Sequence, residues 1–390
     1  MNKKIYIILF TLTIGGAERH ASSIANFLAE KGFDVKILLL QDNKVEYTLS
    51  DNVEVVSISD FSDTTKGTDL NVFSKAALKI KKRFFKQQYA KTDFLLYIKK
   101  QYSDKLISYF NNQPDIDHST VISFMTIPNI CAAIGKKRLN YKLILAEFTS
   151  PHLEFAPDSP ENYYKKKFFQ FADGFVFQTE EQKEFYTFLP NVKKQVIPNP
   201  IEEISIAPYT GERKKEIVNF CRLSVAKNLP LLIESFSMLS KDFPEYSLVI
   251  YGDGPLKKET ESYIEHFSLQ KKAFIKPFCK NVLELVRTSA MFVSSSDREG
   301  ISNSMLEAMA IGLPCVCTDC PAGGARMFIT PYKNGLIVPV KDKNAMYEAM
   351  KYMIQHPDEA NAMGKNATAV KNILEKNQIL NRWVEFISTI

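Results

Sequence analysis

The segment best equipped for chemistry is Asp297–Val316, DREGISNSMLEAMAIGLPCV, with Glu299 and Glu307 eight positions apart. A buried strand, Met291–Ser294, leads into it. Ser302, Asn303 and Ser304 can cap a helix that runs to Ile311, with Gly312 as its C-cap. Both carboxylates then point to the carboxyl end of the strand. The N–H groups of Ser302–Met305 lack intrahelical partners and suit a phosphate. A carboxylate at Glu307 can accept from two vicinal hydroxyls, as on a ribose, and Glu299 can do the same for a sugar. The same spacing permits a structural reading, with Ser304-x-x-Glu307 as a capping box.

Glycine turns are the next signal. Gly15-Gly16 interrupts the first apolar run, and Gly252-Asp253-Gly254-Pro255 follows a strand and opens a helix. The first strand–helix turn holds no full Gly-x-Gly-x-x-Gly, and no Walker A lysine occurs, which argues against nicotinamide and P-loop enzymes. Cys315, Cys317 and Cys320 are close together but lack a fourth ligand at sensible spacing, so they read as small buried hydrophobes. Asp115-Ile116-Asp117 has the form of an Asp-x-Asp metal motif, but it sits in a polar loop. No metal site is expected.

The elements that must position these residues follow from periodicity. Apolar runs of strand length fall at Ile5–Phe10, Val35–Leu40, Val53–Ile58, Thr120–Phe124, Lys142–Ala146, Gly174–Gln178 and Gln195–Ile197. Ala17–Lys31 has a helical stripe closed by Gly32, and one or two basic helices are expected across Leu70–Phe110. Ile197-Pro198-Asn199-Pro200 and the polar stretch to Lys215 break the pattern and read as a linker. Alternation then restarts. Strands are expected at Ile217–Arg222, Ser247–Tyr251, Ala273–Lys276, Met291–Ser294, Pro314–Thr318 and Leu336–Val338. Helices between them include Lys227–Leu239, Pro255–Phe267, Asn281–Thr288, Ser304–Ile311 and Asn344–Gln355, and the tail Gln378–Ile390 reads as one more. Continuous apolar strands alternating with helices give parallel sheets covered on both faces. The expected fold is α/β, with two Rossmann-like doubly wound domains facing a cleft. Strand carboxyl ends then surround a site for a nucleotide-linked ligand.

Composition agrees. The 390 residues are 45% hydrophobic and 24% charged, as in soluble globular proteins, which excludes wholesale disorder, collagen and coiled coil. The length suggests about two domains. The net charge is +6, too small to argue nucleic-acid binding. It is local, however. Between Lys75 and Lys105 ten lysines and arginines face two acids, +8 in all, so the remainder is slightly acidic. Six irregularly spaced cysteines do not form a disulfide framework. No run reaches the roughly 18 apolar residues of a membrane helix. The start, MNKKIYIILFTLTIGGA, mimics a signal peptide but lacks a clean cleavage site and reads as a first buried strand.

Glu, seven residues, Glu and then Ala-Met-Ala-x-Gly-x-Pro resembles the signature of retaining nucleotide-sugar glycosyltransferases of family four, of GT-B fold and group 1 type. Further segments fit in order: Gly15-Gly16-Ala17-Glu18, Ile197-Pro198-Asn199-Pro200, Phe220-Cys221-Arg222-Leu223 with Lys227-Asn228, Tyr251-Gly252-Asp253-Gly254-Pro255, Cys320-Pro321-Ala322-Gly323-Gly324 and Asn334-Gly335-Leu336. The likeness covers essentially the whole chain and is strongest from Asn199 to Val340. Cys221 stands where the family has glycine, and Met327 where it often has glutamate.

The resemblance implies domains at 1–198 (acceptor) and 199–373 (donor), with helix 374–390 packing back toward the first. It implies transfer of a sugar from a nucleoside diphosphate, expected to be UDP, to a hydroxyl with anomeric retention. The acceptor is expected to be a lipid-linked or surface glycan, as in capsule or lipopolysaccharide assembly. Arg222 and Lys227 would grip the diphosphate and stabilise charge growing on the leaving group. Glu299 would contact the donor sugar and Glu307 the ribose. Gly16, Gly252, Gly254, Ser302, Asn303 and Ser304 would complete the donor site. Glu147 and His152, after a first-domain strand, are acceptor-side candidates. No cofactor is expected. The phenylalanines and lysines of Lys75–Lys105 suggest an anionic membrane surface as partner and a cytoplasmic, peripheral location at the inner face of the cell membrane. The rival readings are a nucleotide-sugar epimerase or phosphorylase on the same fold, and an inactive membrane-associated scaffold.

Overall fold

The computed structural model describes residues 3–13, 15–41, 44–60, 86–148, 151 and 157–390. The apolar runs become strands of two parallel sheets. The first contains β1 (Lys4–Leu9), β2 (Asp34–Leu39), β3 (Val53–Ser57), β4 (Thr120–Phe124), β5 (Lys142–Glu147), β6 (Gly174–Phe177) and β7 (Lys193–Val196), in the order β3-β2-β1-β4-β5-β6-β7. The second contains β8 (Lys214–Phe220), β9 (Ser247–Tyr251), β10 (Ala273–Lys276), β11 (Ser289–Ser294), β12 (Cys315–Thr318) and β13 (Leu336–Val338), in the order β10-β9-β8-β11-β12-β13. Every residue of β4 and β6 is buried, as a sheet covered by helices on both faces requires.

Each sheet winds outward from its first strand in both directions. The order therefore reverses between β1 and β4 in one and between β8 and β11 in the other. At such a switch point the loops leaving adjacent strands diverge to opposite faces and open a crevice at the carboxyl ends.

The chain divides into two compact units, each with its own core. One comprises Met1–Phe177, Lys183–Ile197 and Leu380–Ile390; the other comprises Gln178–Gln182 and Pro198–Ile379. Tyr6, Phe110, Phe175 and Phe177 anchor the first core. Phe236, Ile250, Met291 and Met346 anchor the second. Each such side chain contributes about 1.5–3 kcal/mol through burial. The last helix, Lys376–Ser388, starts in the second unit and continues in the first, where Trp383 is fully buried against Phe124 and His20.

Of the basic segment, Lys75, Lys79, Lys81, Lys82, Arg83, Phe84 and Phe85 lie outside the described residues. The described part is helical from Lys86–Ile98 through a wide turn, Lys99–Ser103, to Asp104–Asn111. Phe94, expected to interleave with lysines at an interface, instead packs with Leu95 on the first core, where burial is worth more than exposure. Leu96 and Tyr97 are exposed. Among the described residues no helix is long and apolar enough to cross a membrane.

Candidate functional site

Two loops leave the sheet at the β8/β11 switch point. The first, 221–228, follows β8. It carries Arg222, which is exposed, and Lys227, which closes a short 3-10 turn, Val225–Lys227. The expected helix at Lys227 begins instead at Leu229, because Asn228 adopts a left-handed conformation (φ 41°, ψ 50°) and caps it. Asparagine tolerates this conformation because its short amide bonds locally. The Asn228 amide also donates to Asp297 Oδ1 at 2.9 Å, tying this loop to the second.

That second loop follows β11. Ser295 Oγ donates to the Lys227 carbonyl at 2.9 Å, and the Asp297 N–H to the Ala226 carbonyl at 2.9 Å. The result is that the Lys227 ammonium meets Glu299 Oε1 in a short ion pair. Ser296 Oγ donates to the same carboxylate oxygen at 3.1 Å. Burial alone would lower the Lys227 pKa, but Glu299 outweighs it and holds the ammonium above its usual range. Cys221 is pushed up to about 12 by burial, with Lys227 pulling the other way, so its thiol is neutral.

The helix expected from Ser304 spans Asn303–Ala310. Its cap is Ser302, whose hydroxyl accepts from the Met305 N–H at 3.4 Å. The Ser304–Glu307 capping box therefore does not form: Glu307 stands two residues beyond the position that pairs with the cap. Glu307, Asn303 and Ser304 are half-buried on the first turns. The Asn303 amide oxygen accepts from Asn199 Nδ2 at 3.0 Å, which links the Pro-Asn-Pro boundary to this helix.

Gly252 and Gly254, expected beside the donor, meet protein backbone. A Cβ on Gly252 would lie 1.9 Å from the Cys221 carbonyl oxygen, and one on Gly254 2.4 Å from that of Leu223. The Leu223 N–H donates to the Asp253 carbonyl at 2.8 Å. These glycines let the turn after β9 support the loop that carries Arg222 and Lys227. The chain signalled this only as a weak Gly-x-Gly.

In the first unit, Gly16 opens the helix Gly16–Glu30 and is exposed. Sequence reading missed Tyr47, whose hydroxyl accepts from the Gly15 N–H at 2.8 Å and donates to the Gly15 carbonyl at 2.7 Å. Glu147 ends β5, buried. Its oxygens are taken by Lys165 Nζ at 2.8 Å, Asn129 Nδ2 at 2.7 Å and the Tyr186 hydroxyl. His152 lies outside the described residues. No group of three or more His, Cys, Asp or Glu among the described residues could hold a metal.

Residues 201–370 match the sequence profile of a family described as Glycosyl transferases group 1. An uncharacterized glycosyltransferase of Methanocaldococcus jannaschii is 30% identical over 173 residues, 40% of this chain and 42% of that one. A Campylobacter jejuni enzyme is 24% identical over 391 residues, 99% of each chain. Its name is N-acetylgalactosamine-N,N'-diacetylbacillosaminyl-diphospho-undecaprenol 4-alpha-N-acetylgalactosaminyltransferase. The pneumococcal O-GlcNAc transferase GtfA, solved with UDP and GlcNAc, superposes with a TM-score of 0.74 at 14% identity, covering 100% of this chain and 99% of that one.

Proposed function

Because residues 201–370 match the profile of the group 1 glycosyltransferases, we propose that the chain is such an enzyme and transfers a sugar from a UDP-sugar to a hydroxyl on a lipid-linked or surface glycan, with retention of anomeric configuration. The observation that carries this reading is the Lys227–Glu299 pair at the β8/β11 switch point, beside a helix whose first turns bear Glu307. Lys227 and Arg222 meet the diphosphate, and the free N–H groups of the helix add to them. Glu307 accepts from the ribose hydroxyls. Glu299, steadied by Ser296, accepts from the donor sugar and fixes Lys227 where the leaving oxygen gains charge. The leaving phosphate takes the acceptor proton on the face it departs from, so the new bond forms on that face.

The lipid-linked acceptor finds support in the Campylobacter relative, whose name specifies a diphospho-undecaprenol substrate. UDP finds support in the pneumococcal structure, solved with that nucleotide. We assign Glu147 to bracing the end of β5 through its pair with Lys165.

The test is substitution. Arg222→Ala and Glu307→Ala each remove charge-assisted hydrogen bonds of about 1.5–3 kcal/mol, so each should weaken UDP binding roughly 10- to 100-fold. Arg222 is exposed in the loop after β8 and Glu307 is only half-buried on its helix, so Tm should stay near wild type. UDP titration and nucleotide release in the presence of an acceptor glycan check the pair. Turnover near wild type in both variants would rule the donor site out. UDP released without acceptor would favour another reaction on the same fold.

A further inference from the structure

The first unit gives up five residues to the second. Between β6 and β7 the segment Gln178–Gln182 belongs to the unit that otherwise starts at Pro198. It is knotted on itself: Gln182 Oε1 accepts from the Gln178 N–H at 2.8 Å, and Thr179 Oγ1 accepts from the Gln182 N–H at 3.1 Å. Gln178, Thr179 and Gln182 are buried. Its shape is thus set internally, and two arms reach out from it.

One arm holds Ala322. The Thr179 hydroxyl donates to the Ala322 carbonyl, and the Ala322 N–H donates to Glu181 Oε1 at 3.1 Å, so both backbone groups of that residue are taken. Ala322 has φ 92°, a conformation a residue with a Cβ keeps only where its surroundings enforce it. The turn that follows is pressed from two sides. A Cβ on Gly323 would lie 2.8 Å from Glu181 Oε2, and one on Gly324 1.9 Å from the Gly300 carbonyl oxygen, next to Glu299. The other arm runs from Gln178 Nε2 to Asn199 Oδ1 at 2.6 Å, and from Asn199 Nδ2 to Asn303 Oδ1 at 3.0 Å. Asn303 is the first residue of the helix bearing Glu307.

We propose that Gln178–Gln182 is a clamp that sets the geometry of the donor site, with Thr179, Glu181 and Asn199 as its positioning residues. Through Ala322–Gly324 it fixes the backbone beside Glu299; through Asn199 it fixes the start of the Glu307 helix. None of the three needs to touch the donor. The proposal rests on the donor-site reading above.

Thr179→Val keeps the side chain's shape and removes the donating hydroxyl; Thr179→Ser retains it. Glu181→Gln, at a partly exposed position, keeps shape and removes the charge. Titration of each full-length variant with UDP, beside amide exchange over residues 319–328, tests the clamp. Thr179→Val removes both the bond to the Ala322 carbonyl and the one from the Gln182 N–H, and should weaken UDP about tenfold and speed exchange across 319–328. Thr179→Ser should match wild type in both, and Glu181→Gln should fall between. Faster exchange with unchanged UDP affinity in Thr179→Val and Glu181→Gln would overturn the clamp as a servant of the site. Unchanged exchange would overturn the clamp itself. If Thr179→Val does not fold, Glu181→Gln carries both readings. A wild type that ignores UDP would instead overturn the donor-site reading, and the clamp's purpose with it. Loss in Arg222→Ala together with wild-type behaviour in the clamp variants would sink the clamp alone.

Discussion

Lys227 keeps its proton throughout the neutral range, because Glu299 holds its pKa above the usual lysine value. The sign is plain. A raised lysine pKa leaves the cation, and the pairing it provides, intact until the pH climbs past that value. If Lys227, Arg222 and helix N–H groups meet the diphosphate charge, transfer should persist in EDTA. Full loss restored by manganese would contradict this. His20 behaves in the opposite sense. It is buried among Phe124, Phe148 and Trp383, and burial lowers its pKa from 6.5 to about 3. Neither ring nitrogen finds a hydrogen-bond partner. The folded chain therefore needs the neutral ring, whereas the unfolded chain binds a proton near 6.5. This contribution is whole above that pH and falls as pH drops toward 3, by about 1.4 kcal/mol per unit. Thermal unfolding near pH 7 and near pH 5 should show wild type losing about 2 kcal/mol more than His20→Leu. Equal losses would remove His20 from the acid response. At this scale positions were legible in part: Lys227 and Glu299 lie in the loops that follow β8 and β11, and Glu307 in the helix after the second loop. The surroundings of Glu147 were not, because its partners Asn129, Lys165 and Tyr186 come together only through folding.

Strands were more legible than helix starts, for a physical reason. A strand buried on both faces must be a continuous apolar run, and such runs survive in the sequence whatever their neighbours. A helix start is decided by one cap. Ser302 wins over Ser304 because its hydroxyl meets the Met305 N–H, and the helix after Lys227 waits for Asn228. Loop against loop was hidden altogether. The Gly252–Gly254 turn was expected beside the donor, and the sequence did not reveal that it also underpins loop 221–228. This predicts that Gly254→Ala acts at a distance. Its Cβ would meet the Leu223 carbonyl oxygen at 2.4 Å and the Leu223 nitrogen at 2.8 Å, backbone that cannot swing aside. The variant should lose about 1–3 kcal/mol of stability, as overpacking does, and UDP affinity should fall with it. Denaturant unfolding and UDP titration check both; stability lost with affinity kept would mean that the loop relaxes without moving Lys227.

At the scale of the molecule, two α/β halves followed from the restart of alternation after Pro200, and the family resemblance implied the return of the last helix to the first unit, but nothing pointed to the transfer of Gln178–Gln182. That segment and the end of the last helix each join the unit that most of their sequence neighbours do not. No periodicity records that, since it depends on which core buries Trp383 or Thr179. The local excess of positive charge was visible, and it bears on where the acceptor is met. In the first unit, helix Lys86–Ile98 runs beside helix Pro160–Phe168: Phe94 stacks on Tyr164 with centroids 5.9 Å apart, and Lys91 lies 4.5 Å over the Tyr163 ring. Together they present Lys100, Lys166 and Lys167 alongside exposed Leu96, Tyr97 and Tyr163. Basic residues interspersed with exposed apolar and aromatic ones suit an anionic lipid surface, where each cation contributes about 1 kcal/mol, screened by salt. Wild type should pellet with anionic vesicles at low salt and be released at high salt. Changing Lys100, Lys166 and Lys167 to Glu should reduce pelleting roughly tenfold or more while UDP binding stays intact. Because the three lysines are exposed, folding should not suffer. Equal pelleting of both proteins would show that this face meets water only, and that the acceptor reaches the enzyme by another route.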